Sequence, residues 1–218
     1  MTELSFEKQD LLNLLTEREA LKFGSFTLKS GRQSPYFINM GSLSQANDLV
    51  RLGRAYAETM LNKVGNPSVI FGPAYKGIPL AIATSIAFSN MGFLSSWAFD
   101  RKEVKDHGEG GMFVGAPLGS GTSVVIVDDV ITAGTAIRQT IEKVQAAGAW
   151  VQGVVVAFDR EERGLGSGQT ALEEIRNTYG ISVAACLTIS QVIEHLYSIQ
   201  KLDYQQREEI KTYLGRNG

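Results

Sequence analysis

The stretch from Val124 to Gln139, "VVIVDDVITAGTAIRQ", runs from four β-branched apolar residues into two adjacent carboxylates, Asp128 and Asp129, and then into a turn containing Thr and Gly. A short apolar β-branched run fits a strand covered on both faces, and the pattern from Ile137 to Val144 fits a helix. In an open parallel sheet, ligands bind beyond the carboxyl ends of the strands, where loops lead into helix N-termini. Asp128 and Asp129 fall at that place. The "ITAGT" segment offers closely spaced backbone N–H groups, with Gly134 allowing close approach and Thr132 and Thr135 adding hydroxyls, so it can cradle one phosphate. Neither a Gly-Lys-Ser/Thr ending nor a G-x-G-x-x-G fingerprint is present, which sets aside nucleoside triphosphate and dinucleotide loops. Two carboxylates beside a phosphate repel it unless they face sugar hydroxyls, Mg²⁺ or a developing positive charge. A phosphorylated sugar bound with Mg²⁺ meets all three conditions.

Outward from this stretch the pattern alternates. A helix is expected from Gln45 to about Val64, a strand at "SVIFG", a helix from Ile78, a strand at "SSWAF" followed by a polar loop, and the strand at "SVVIV". Then come a helix from Gly134 to Ala147, a strand at "WVQGVVVAF", a helix near Ala171 to Tyr179, a strand at "ISVAACLTI", and one or two covering helices in the last thirty residues. Such alternation predicts an α/β fold with a central parallel sheet flanked by helices on both faces. Before it, an amphipathic pattern (Phe6, Leu11, Leu12, Leu14, Leu15, Leu21) and the hairpin-like "FGSFTLKSGRQSPYFINMG", turning at Lys-Ser-Gly-Arg, read as an N-terminal elaboration. The expected organisation is a single domain over 1–218, with a helix and hairpin in 1–44 and the core and C-terminal helices in 45–218.

The 218 residues are enough for one domain with a substantial core, and a composition of 44% hydrophobic and 20% charged residues is ordinary for a globular protein. A net charge of -2 gives no global attraction to nucleic acid or an anionic membrane, so anion binding must be local. "MTELSFEKQD" lacks a signal pattern, and the weakly polar run from Gly77 to Phe88 is too short to span a bilayer. A cytoplasmic protein without nucleic-acid or membrane partners is therefore expected. Cys186, the one cysteine, sits in a strand pattern and reads as a core residue. His195 lies in a helical pattern and reads as structural, and "GLGSG" follows a charged turn, so it reads as a connector.

Two more segments carry chemistry. In "SVIFGPAYKGIPLA" a strand enters a Gly-Pro turn and a helix, placing Tyr75 and Lys76 in a second loop on the same sheet edge; a backbone loop with one cation there suits a diphosphate. "DRKEVKDHGEGG" gathers Arg101, Lys102, Lys105 and His107 and ends in glycines, which suits a lid from Arg101 to Gly111. Cations closing over a leaving group that gains negative charge favour the transition state over the ground state. His107 can donate a proton to that group.

"VVIVDDVITAGTA" resembles the phosphoribosyl pyrophosphate motif of the type I phosphoribosyltransferases. Together with "FTLKSGRQSPYFIN", "FGPAYKGIPLA" and "RKEVKDHGEGG", it is similar to the orotate-specific branch of that family over roughly Phe23 to Gly164. The resemblance implies Mg²⁺-dependent transfer of phosphoribosyl from 5-phosphoribosyl 1-diphosphate to N1 of orotate in pyrimidine biosynthesis, with Mg²⁺ carried mainly by the substrate instead of a closed protein site. It implies that Asp128 and Asp129 hold the ribose hydroxyls and are catalytic together with Lys105 and His107. Thr132, Ala133, Gly134, Thr135 and Ala136 would hold the 5-phosphate and Val130 and Ile131 would also contact the phosphoribosyl substrate, while Lys29, Tyr75, Lys76, Arg101 and Lys102 join Lys105 and His107 around the diphosphate. For orotate it implies Phe37 and Ile38 as pocket walls in an N-terminal hood, contact from Lys29 and Thr132, and recognition of the anion by Arg160. The family resemblance implies a second aromatic in many relatives where this chain has Ile38, and so a less complete stack on the base here. The family also implies a homodimer whose lid crosses to the other subunit. Two rival readings have distinct signs: the same chemistry on a purine, which the Lys29 hairpin and the lid oppose, and a regulator binding nucleic acid, which would need a basic stripe or an added recognition domain.

Overall fold

The computed structural model describes residues 4–28, 31–105, 111–131, 134–162 and 168–217. The chain opens with helix α1 (Phe6–Glu17) and an antiparallel hairpin, β1 (Leu21–Thr27) with β2 (Gln33–Ile38), whose register is broken by a bulge between Phe23 and Phe26. A 3-10 turn at Met40–Ser42 leads into α2 (Ala46–Lys63). Asp48 joins these parts. It accepts from the Gln45 N–H at 3.0 Å, capping α2, and pairs with Arg18 beyond the end of α1 at 2.9 Å.

The core continues as β3 (Val69–Phe71), α3 (Gly77–Asn90), β4 (Ser96–Lys105), β5 (Gly111–Gly115), β6 (Ser123–Val130), α4 (Thr135–Ala146) and β7 (Trp150–Asp159). It closes with α5 (Ala171–Tyr179), β8 (Ser182–Thr188), α6 (Ile189–Ser198) and α7 (Tyr204–Asn217). The six-stranded sheet has the order β5-β4-β3-β6-β7-β8. Side chains alternate across it, as the strand period requires. Ile70, Val125, Val127, Val155 and Ala157 face a core shared with α1, the hairpin, α2, α3, α6 and α7. Val69, Phe71, Val124, Ile126, Val154 and Val156 face a second core under α4 and α5. Burial on both faces explains the unbroken β-branched runs in β6 and β7.

Two expectations are corrected. The segment after "SSWAF" is not a loop: β4 continues through "DRKEVK" to Lys105 and pairs with β5. Charged residues hide this strand from a hydrophobicity reading, because the ladder to Gly111–Gly115 is set by pairing at a sheet edge. The sheet is accordingly parallel among β4, β3, β6, β7 and β8 but antiparallel at β5. Strand β6 also runs past its apolar residues to Val130, so both acids lie within its last turn of pleat, with Asp128 paired to Val156 in register.

Candidate active site

β3 and β6 are neighbours, with Phe71 beside Ile126 in register, so the loops that leave them meet at one edge. The loop after β3 is folded tightly on itself. A Cβ on Gly72 would lie 1.9 Å from the Gly77 carbonyl oxygen, and one on Gly77 would lie 2.6 Å from the Pro73 ring. Lys76 forms the N-cap of α3, and its Nζ reaches Asp129 Oδ2 at 2.5 Å. Tyr75 beside it is 67% exposed, projecting from the loop.

Asp100, next to Arg101 on β4, holds this loop from below. Its buried carboxylate accepts the Ala74 N–H at 2.8 Å and pairs with Lys143 of α4 at 2.5 Å. One side chain thus ties the loop after β3 to the helix after β6. Nothing in the charge pattern singled out Asp100, because it stands in a run of charged residues.

The paired acids differ in setting. Asp128 is pushed up to about 6, chiefly by burial and then by the neighbouring Asp129 charge, against the opposing pull of the Asp129 N–H and Lys76. Its carbonyl oxygen accepts from the Tyr56 hydroxyl at 2.6 Å, which anchors the strand end to α2. Asp129 is held by Lys76 and accepts the Val130 N–H at 2.7 Å. Beyond Val130 and the buried Ile131, Gly134 is the N-cap of α4 with φ of 73°, a left-handed conformation in which glycine avoids the Cβ penalty. Thr135 and Ala136 open the helix, whose first turn carries no acidic residue, so its exposed N–H groups and dipole favour an anion. Thr132 and Ala133 lie outside the described residues.

The hairpin and the end of β7 form the other half of the region. Phe37 is exposed on β2 and stacks on Phe26 of β1, with centroids 5.5 Å apart, while Ile38 packs partly into the core. Arg160 follows β7 directly and is buried. Its guanidinium lies 4.5 Å over the Tyr36 ring and pairs with Glu162 Oε1 through Nε at 2.9 Å and Nη2 at 2.5 Å. Burial pulls the Arg160 pKa down, but Tyr36 and Glu162 more than offset it and raise it above its ordinary value.

The structure therefore gathers Tyr75, Lys76, Asp128, Asp129, Val130, Ile131, Gly134, Thr135 and Ala136 at one sheet edge, and Phe37, Ile38 and Arg160 around the hairpin. Arg101 lies on β4 next to Asp100. Lys102 and Lys105 fall on the same strand, though their side chains, like Lys29 and His107, lie outside the described residues. Cys186 is buried in β8 with its thiol pushed to about 12 by burial, as befits a core residue, and His195 lies in α6. Phe26, Tyr36, Glu162 and Tyr213 were not identified from sequence. The "DREE" run held Glu162 in plain view, but it offered no sign of which acid turns back onto Arg160.

Residues 39–183 match the phosphoribosyl transferase domain family. An orotate phosphoribosyltransferase of Marinobacter nauticus is 46% identical over 211 residues, covering 97% of this chain and 98% of that protein. One from Stutzerimonas stutzeri is 48% identical over 191 residues, 87% of this chain and 88% of its own. The crystal structure of the orotate phosphoribosyltransferase of Francisella tularensis superposes with a TM-score of 0.85 at 35% identity, covering 95% of this chain and 98% of that one. The fold, the matched domain and these relatives agree: the chain belongs to the orotate phosphoribosyltransferase branch of the phosphoribosyltransferase family.

Proposed function

We propose that the protein transfers phosphoribosyl from 5-phosphoribosyl 1-diphosphate to N1 of orotate, giving orotidine 5'-phosphate and diphosphate, in the cytoplasm. The observation that carries the residue assignment is the Lys76–Asp129 contact of 2.5 Å, which joins the loop after β3 to the end of β6 ahead of α4. A ligand with a phosphate at one end, hydroxyls in the middle and a diphosphate at the other matches that order of helix terminus, paired acids and cationic loop.

In this reading the α4 terminus holds the 5-phosphate, and Asp128 and Asp129 accept from the ribose hydroxyls and offset positive charge developing on the ring. Lys76, the backbone of the Pro73–Lys76 loop and Arg101 receive the diphosphate as the C1–O bond breaks. Lys105, Lys102 and Lys29 add cationic charge to the leaving group, and His107 gives it a proton. The C1–N1 bond to orotate forms as N1 releases its proton to solvent, which balances the proton His107 delivers to the diphosphate and later regains, with Phe37 and Ile38 along the base and Arg160 facing its anionic groups. Mg²⁺, when bound with the diphosphate, would neutralise its oxygens and favour departure. Asp128 and Asp129 provide hard oxygen acceptors that fit a cation carried by the substrate.

The working unit proposed is a homodimer, with each lid serving the other subunit's site. Large apolar side chains support it: Ile86 at 58% and Leu94 at 89% exposure stand with Met91, Phe93 and Trp97 around the end of α3 and the start of β4, a surface suited to a second copy. The catalytic test is loss of orotate absorbance. Orotate should disappear only with 5-phosphoribosyl 1-diphosphate and Mg²⁺ present, with one diphosphate released per orotate consumed, whereas consumption of a purine base instead would overturn the assignment.

A further inference from the structure

The carboxylate of Glu162 joins three separated segments: its own, the hairpin arm around β2, and α7. Its Oε1 accepts from Arg160 Nε and Nη2, from the Tyr213 hydroxyl of α7 at 2.8 Å, and from the Tyr36 hydroxyl of β2 at 3.2 Å. Its Oε2 faces Arg32, just before β2, at 3.5 Å. The Tyr36 hydroxyl lies also 3.0 Å from the Arg160 carbonyl oxygen, so its single hydrogen is divided between two acceptors. Tyr213 therefore supplies the shortest hydroxyl bond that seats Glu162.

This arrangement decides which edge of Arg160 is available. Nε and one Nη2 hydrogen go to Glu162, the other Nη2 hydrogen points to Ser34 Oγ at 3.4 Å, and the guanidinium face is covered by Tyr36. Among the described residues Nη1 has no protein acceptor. With Nε and Nη2 engaged and one face covered, the guanidinium leaves Nη1 as the nitrogen it can offer an anion. An open cleft of about 370 Å³ bordered by Ser34, Glu209 and Tyr213 lies between α7 and the hairpin.

We propose that Glu162, seated by Tyr213 of the C-terminal helix, is the positioning residue that aims Arg160 at the base, so that docking of α7 tunes recognition of orotate. This rests on the assignment of Arg160 to orotate. The test is a double-mutant cycle on the full-length enzyme. Tyr213→Phe keeps the ring that meets Tyr36 edge-on at 6.1 Å and removes only the hydroxyl. It should raise the orotate KM about five- to tenfold while kcat and the diphosphate KM stay within about twofold. In an Arg160→Ala background the same change should have no further effect on the orotate KM, because the two residues act through one contact. Glu162→Gln should raise the orotate KM at least as much, but removing a charge beside buried Arg160 can also cost folding, so Tyr213→Phe carries the decision. If Arg160→Ala raises the orotate KM and Tyr213→Phe leaves it unchanged, or multiplies it equally in both backgrounds, the positioning role is refuted. If Arg160→Ala itself leaves the orotate KM unchanged, the assignment of Arg160 to the base fails and the proposal falls with it.

Discussion

Asp128 is a residue whose placement costs the fold something. Its carboxyl is raised to about 6 in the folded chain, mainly by burial, against 3.8 for the ordinary side chain. A raised carboxylate leaves the fold more stable below about pH 4, where it is protonated in both states, and that advantage is lost as pH rises through about 6. A difference of this size corresponds to on the order of 1–3 kcal/mol. Asp128→Asn should therefore be more stable than the parent at pH 8 by about that amount, with the gap closing near pH 4, when both are compared by denaturant unfolding without ligand. The same variant should lose most phosphoribosyl transfer, since an amide cannot accept from two hydroxyls as a carboxylate does. A variant that is less stable at pH 8 would show that the carboxylate is well solvated or paired in the fold.

The loop between β3 and α3 is determined by what cannot fit in it. With the Gly72 Cα facing the Gly77 carbonyl, a single methyl at either position forces the turn open. Gly77→Ala is expected to lower stability by about 1–3 kcal/mol and to raise the diphosphate KM more than the orotate KM, because Lys76 rides on that turn. Asp100→Ala should act on the same loop from the other side. It frees the Ala74 N–H and leaves Lys143 without its 2.5 Å partner, so the diphosphate KM should again move while the orotate KM stays put. Equal movement of both constants in the two variants would mean that the loop supports the fold generally and not the diphosphate end.

At the scale of the molecule, a lid shared between subunits makes a quantitative claim. One inactive variant would carry Lys105→Ala with His107→Ala, and a second Asp128→Asn with Asp129→Asn. In a mixed dimer one site then combines the intact core with the intact lid. Random reassortment makes about half the dimers mixed, so co-expressed variants should recover roughly a quarter of parental activity. A lid serving its own chain predicts no recovery even when mixed dimers are demonstrated.

Much of this was legible in the one-dimensional chain. The β-branched run before Asp128, the Gly and Thr turn after it and the spacing of the helices determined an α/β sheet and the edge proposed to take a phosphate, because strand burial, turn conformation and helix capping are local consequences of residue type. The strand through "DRKEVK" was not legible, since edge pairing with Gly111–Gly115 overrides a charged composition and reverses the strand direction at β5. Nor were the partners of the functional side chains. Asp100 reaches Ala74 and Lys143 across 26 and 43 residues, and Glu162 reaches Tyr213 across 51. Such contacts depend on how β4, α4, β7 and α7 are stacked, and no local propensity encodes that distance. Sequence alone determined which residues could carry the chemistry; only the tertiary structure decided which carboxylates hold them in place, because a hydrogen bond is selected by the positions of its two ends in space.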